Sequence, residues 1–170
     1  MSRLLPSPLM TVRAFHEAAH AVAAIELGMV EVMVRIGPDG SVSGVETDAD
    51  ISFACPALHD EPRSRTLQRR LIVILAGPEW ELFAAVQSRR RQVLREQRSD
   101  CIAIVKVIRQ LRNLCGMHGR ALKRCIEDAW NEAASIRVLR NDQSMNIAAV
   151  LDASGALDDT ELKSLFAQSA

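Results

Sequence analysis

The chain has 170 residues, 48% of them hydrophobic and 25% charged, which suits one globular domain, residues 1–170, with a substantial core and leaves too little for a second. Lys plus Arg and Asp plus Glu each total 21, so no net field steers it toward nucleic acid or an anionic membrane. The longest run without Asp, Glu, Lys or Arg is nine residues, about half of what a bilayer-spanning helix needs, and the N-terminus lacks the order of a signal peptide. The expectation is a soluble, cytoplasmic protein without nucleic-acid or membrane partners.

Ser7-Pro8 is a good helix opening and Gly28 a good helix stop. Between them Phe15, Ala18, Val22 and Ile25 make an apolar stripe at helical steps, which predicts that the neighbouring histidines sit on an adjoining face at the edge of the core. Residues 30–36 are rich in Val, Met and Ile, and Gly37-Pro38-Asp39-Gly40 is a turn leading to a second run over 41–47; the pattern predicts a small β-hairpin. Residues 48–62 hold two prolines and no sustained period and read as a surface loop.

Residues 66–76 read as a buried helix broken at Gly77-Pro78, with a second helix starting at Glu79. Ser99 is placed to cap a helix beginning at Asp100, with Cys101, Ile104, Val105, Ile108 and Leu111 as its core stripe. Helices over 119–140 and 144–153 follow. The last helix begins at Asp158, where Glu161 completes a capping box and Leu157 and Leu162 can form a staple. The fold class is mainly α with one small hairpin. Cys55, Cys101, Cys115 and Cys125 form no CxxC pair and read as small core residues in a reducing compartment, and Trp80 and Trp130 read as core; His59 and His118 stand in loops beside Pro or Gly as solvated side chains. The Arg63 to Arg70 and Arg89 to Arg98 clusters read as solvated helix faces.

Within the first helix, His16-Glu17-Ala18-Ala19-His20 carries the chemistry. Two imidazoles four residues apart share a helix face and can grip one metal ion, while Glu17 can take a proton from water on that ion. Hydrolytic zinc keeps three protein ligands and leaves a fourth position to water, so one more ligand is needed. Two carboxylates are candidates: Asp100, in the first turn of its helix where the dipole favours the ionised form, and Glu81, on the helix after Gly77-Pro78. Read without a metal, Asp100 is an ordinary N-terminal helix acid and Glu81 a solvated helix residue.

At these residues the chain resembles the M41 peptidases, the zinc protease domains of FtsH-type AAA proteases. The run from Val12 to His20 is similar to that family's zinc helix, and residues 30–47 to the hairpin after it. Leu75-Ala76-Gly77-Pro78-Glu79-Trp80-Glu81 resembles its Gly-Gly-Arg-x-Ala-Glu segment, with Pro78 and Trp80 in place of Arg and Ala. Ser99-Asp100-Cys101-Ile102 falls where the family has Asn-Asp-Leu, and the stretch from Gly155 to Leu162 resembles its closing segment. Ala19 stands where the family usually has Gly.

The resemblance implies an FtsH-peptidase-like helical zinc protease domain in which His16, His20 and Asp100 hold Zn2+ and Glu17 is the general base, with Glu81 as the alternative ligand. It implies a zinc metalloendopeptidase acting on unfolded or extended polypeptide. No Gly in the chain is followed by Lys, so it carries no Walker A loop, and the partners implied are a polypeptide substrate together with a separate AAA ATPase or a homo-oligomer. Two alternatives differ in class: a non-catalytic zinc adaptor or oligomerisation module on the same fold, and a basic-helix nucleic-acid binder that needs neither zinc nor Glu17.

Overall fold

The computed structural model describes residues 12–36, 51–56, 61–88 and 98–168. In chain order the elements are α1 (Val12–Glu26), β1 (Val30–Arg35), β2 (Ile51–Ala54), α2 (Arg63–Ser88), α3 (Arg98–Cys115), α4 (Gly119–Leu139), α5 (Asn141–Ser154), β3 (Ala156–Leu157) and α6 (Asp159–Gln168). The architecture is mainly helical with a three-stranded sheet. No helix among the described residues is long and apolar enough to cross a membrane.

The centre of the fold is α1. Every residue from Ala14 to Ala24 is buried, and six of those eleven are alanine, whose small side chain favours helix and lets neighbouring helices approach closely. The helix packs on α2 and α5, and α2 in turn packs on α3 and α4. The histidines therefore lie inside the core and not at its edge: the amphipathic stripe is real, but alanines leave the other faces free to be covered as well. A left-handed Gly28 ends α1, with Gly28 N–H donating to Ile25 O (3.0 Å) and Met29 N–H to Ala24 O (2.8 Å), the paired bonds of a Schellman motif. The opening proposed at Ser7-Pro8 lies outside the described residues.

The strand after α1 forms as expected, but its partner differs. β1 pairs antiparallel with β2, Val34 opposite Ile51 and Val30 opposite Ala54, inside the stretch expected to be a loop. The alternation of Ile51 and Phe53 with Ser52 is a strand pattern only four residues long, too short to stand out ahead of Pro56 and Pro62. The run over 41–47 lies outside the described residues. On the other side β1 pairs with β3, Val34 opposite Leu157, giving the order β2-β1-β3. A register irregularity between Val30 and Met33, with Glu31 at φ 55°, kinks the entry of β1 while Val32 and Val34 stay fully buried.

The expected break in the second helical region is absent: α2 runs unbroken through Pro78. Proline disfavours helix at the residue before it partly by clashing with that residue's Cβ, and Gly77 has none. The rest of the penalty, one missing hydrogen bond to Ile74, is offset by burial, since Leu71, Ile72, Val73, Ile74, Leu75 and Ala76 are all in the core. Arg69, also buried, anchors this helix to its surroundings by donating to Leu27 O (3.2 Å), Pro56 O (2.9 Å) and the Glu61 carboxylate (2.6 Å).

The orientation of α3 also departs from expectation. Arg98 and Ser99 already belong to the helix, so Ser99 is not its cap, and the buried positions are Asp100, Val107 and Leu111. Cys101 is exposed, as are Ile102 (43%) and Val105 (45%). The helix is turned so that a carboxylate, and not the apolar stripe, faces α1 at this end. Cys55 and Cys115 are half-buried and Cys125 is buried. At the C-terminal end Asp158 Oδ1 accepts from the N–H groups of Thr160 and Glu161 (both 2.9 Å) while Asp158 N–H donates to Glu161 Oε2 (3.0 Å), the reciprocal capping box the sequence predicts.

Candidate metal centre

Helical spacing alone brings His16 and His20 together on α1, with Nε2 atoms 3.0 Å apart. Asp100 reaches them from α3: one carboxylate oxygen is 2.9 Å from His16 Nε2 and the other 3.6 Å from His20 Nε2. All three side chains are buried, at 7%, 1% and 3% exposure, and Glu17 beside them at 4%. Three ligands of a tetrahedral zinc ion at 2.0–2.1 Å stand about 3.3 Å from one another. The Nε2–Nε2 separation of 3.0 Å and the 2.9 Å from His16 Nε2 to Asp100 Oδ2 lie close to that value, while His20 Nε2 meets the other Asp100 oxygen at 3.6 Å. Among the described residues His16, His20 and Asp100 form the group of His, Cys and acidic side chains able to hold a metal ion.

The donor set fits such an ion on a second count. Asp100 Oδ2 is fully buried and close to His16 Nε2, yet no hydrogen bond aligned on it satisfies it. A carboxylate turned toward a common centre instead of toward one donor is what a cation would complete.

One line along α2 shapes the other side of this group. Val73, Gly77 and Glu81 follow at four-residue steps and so share a face. Val73 O accepts from His20 Nδ1 at 2.7 Å, which orients the ring with Nε2 toward Asp100 and His16. A Glu81 carboxylate oxygen lies 2.7 Å from His16 Nδ1, the nitrogen pointing away from the trio. Between them, Gly77 passes so close that a Cβ there would stand within 2.5–2.7 Å of imidazole atoms. Trp80 stacks on Phe15, the residue before His16, with ring centroids 4.6 Å apart and planes 3° from parallel.

Glu81, weighed in the sequence as an alternative metal ligand or as a solvated helix residue, is thus buried and contacts the far nitrogen of His16. Gly77 and the Val73 carbonyl were not singled out by sequence. A glycine followed by proline reads as a helix break, and a backbone carbonyl carries no sequence signal. The four-residue step from Gly77 to Glu81 would have pointed to a shared face once the helix was taken as continuous. His118 is exposed and precedes α4 without capping it, and Trp80 and Trp130 are partly buried against the core. His59 lies outside the described residues.

Electrostatics favour charge in the cluster when no cation is bound. Burial pushes the His16 pKa down, but its contacts with Asp100 and Glu81 outweigh burial and lift it to about 9. Burial pushes Asp100 up, and the imidazoles of His20 and His16 close beside it outweigh that and hold its carboxyl well below the usual range. A proton on His16 then does in part what a metal ion would do: it places positive charge among the carboxylates.

No protein-family model matches the chain, and no curated protein matches it either.

Proposed function

We propose that the protein is a zinc-dependent metalloendopeptidase of the M41, FtsH-peptidase type, acting on unfolded or extended polypeptide. The observation that carries the reading is the convergence of His16, His20 and Asp100 from two helices, with Glu17 inside the histidine pair. His16, His20 and Asp100 hold the ion, and Glu81 and the Val73 carbonyl keep the two imidazoles oriented with Nε2 inward. The chemistry zinc supplies when held there is polarisation of a scissile carbonyl and a water whose pKa falls to about 7. Glu17 accepts the proton of the attacking water and returns it to the leaving amine nitrogen. Substrate main chain adds beside β2 to the three-stranded sheet whose middle strand is β1, a mode that tolerates many side chains. These 170 residues hold no phosphate loop, so unfolded segments of a folded substrate would be supplied by an ATPase outside them.

A second reading, a zinc-holding adaptor without turnover, is favoured by the burial of all four residues, since structural sites are closed. The two separate on one experiment. Zinc-loaded protein is expected to cut casein, and Glu17→Gln to retain zinc while losing cleavage by about 100-fold or more. Zinc binding without cleavage by the unaltered protein selects the adaptor, and equal turnover in Glu17→Gln removes Glu17 from the mechanism.

A further inference from the structure

Gly77 lies in the interior of α2 and its φ is not in the left-handed region, so its own backbone conformation is open to any residue. Alanine is the better helix former, and a glycine here runs against the local preference. What position 77 does not tolerate is a side chain. A Cβ there would be 2.5 Å from His20 Nε2, 2.6 Å from His16 Nε2 and 2.7 Å from His16 Cε1, far inside van der Waals contact. Val73 O holds the His20 ring, and the Glu81 carboxylate stands 2.7 Å from His16 Nδ1 on the side away from Gly77. Both rings also ride on a helix that is buried on every face.

We propose that Gly77 is the residue that admits the metal ion, a positioning role that rests on the metal reading above. A zinc ion held by both Nε2 atoms would stand 2.0–2.1 Å from each, and a Cβ would contact those same two atoms at 2.5 and 2.6 Å. Either the methyl takes the ion's space or it drives the rings off the 3.0 Å separation that lets them share one ion. The bare backbone of α2 is therefore part of the chamber wall, and any side chain at 77 closes it.

The competing explanation is that glycine merely relieves the clash with Pro78, and the test separates the two. The full chain and its Gly77→Ala variant are stripped with chelator and titrated with zinc, and melting temperatures are recorded with and without zinc. The same substitution is then made in a His16→Ala/His20→Ala background. The unaltered protein should bind zinc, and Gly77→Ala should weaken binding by about tenfold to a hundredfold or more and lose the zinc-dependent rise in melting temperature. Without metal, Gly77→Ala should lower the melting temperature when the histidines are present and raise it or leave it unchanged when they are absent. A variant that folds only in the histidine-free background supports the proposal equally. Wild-type zinc affinity in Gly77→Ala, or the same loss of stability in both backgrounds, overturns it. Failure of the unaltered protein to bind zinc instead overturns the metal reading beneath it.

Discussion

His16 is contacted at both ring nitrogens by carboxylates, Glu81 at Nδ1 and Asp100 at Nε2, and this sets the pH behaviour of the metal-free protein. Its pKa is raised from 6.5 to about 9, so its contribution to stability is complete below pH 6.5 and disappears as pH rises through about 9. The Asp100 pKa is lowered from 3.8, so its contribution is present above that value and fades as pH falls further. Metal-free protein should be most stable between these limits and lose on the order of a few kcal/mol toward pH 10, read by thermal melts across pH. Zinc must displace the His16 proton, so its apparent affinity should rise roughly tenfold per pH unit from neutrality to about pH 9. A pH-independent affinity would contradict the protonated cluster. Glu81→Ala should weaken zinc binding by about 10–100-fold, as loss of a carboxylate that orients a ligand does, far more than a solvated helix residue would. The pairing of His16 with His20 on one face of α1 was legible because the four-residue spacing itself sets it. Asp100 was selected through family resemblance, and the role of Glu81 was not legible because it depends on which imidazole nitrogen α2 faces.

At the scale of elements, the misread features share one cause: tertiary contacts outweighed local signals. Gly77-Pro78 is a strong local break, yet α2 continues because its buried run from Leu71 to Ala76 anchors the first half and the Glu79–Arg137 ion pair (2.8 Å) ties the second half to α4. In α3 the expected stripe holds at Leu111, which is buried, and at Ile104, which packs on the core, while the Asp100 contacts turn the first part of the helix so that Cys101 and Val105 are exposed. The elements read correctly are those with explicit end signals, Gly28 closing α1 and the capping box opening α6. The latter gives a clean test. Asp158→Ala removes the acceptor for two backbone N–H groups and should lower stability by about 1 kcal/mol, roughly 2–4 °C in melting temperature, with zinc affinity unchanged. α6 packs mainly on β1 and α5 and also touches α1, so a loss of zinc binding in that variant would show that the site is coupled to α6 through α1.

For the molecule as a whole, a metal ion at this site joins α1 to α3 through the core, so ligand binding becomes folding free energy. At zinc concentrations about 100 times the dissociation constant the gain is about 2.7 kcal/mol, and removing zinc with chelator should lower the melting temperature by roughly 5–10 °C. With no phosphate loop in these 170 residues, the pure chain should leave a stably folded substrate intact with or without ATP; ATP-driven digestion of such a substrate would refute the need for an ATPase supplied from outside them. The measurement that bears most directly on the central claim is a calorimetric zinc titration of chelator-stripped protein beside its Asp100→Ala and Glu81→Ala variants. The account predicts one ion per chain, binding in Asp100→Ala reduced well beyond the loss in Glu81→Ala, and a proton released on binding at neutral pH. No saturable zinc binding, or binding that survives in Asp100→Ala and is abolished in Glu81→Ala, would contradict it.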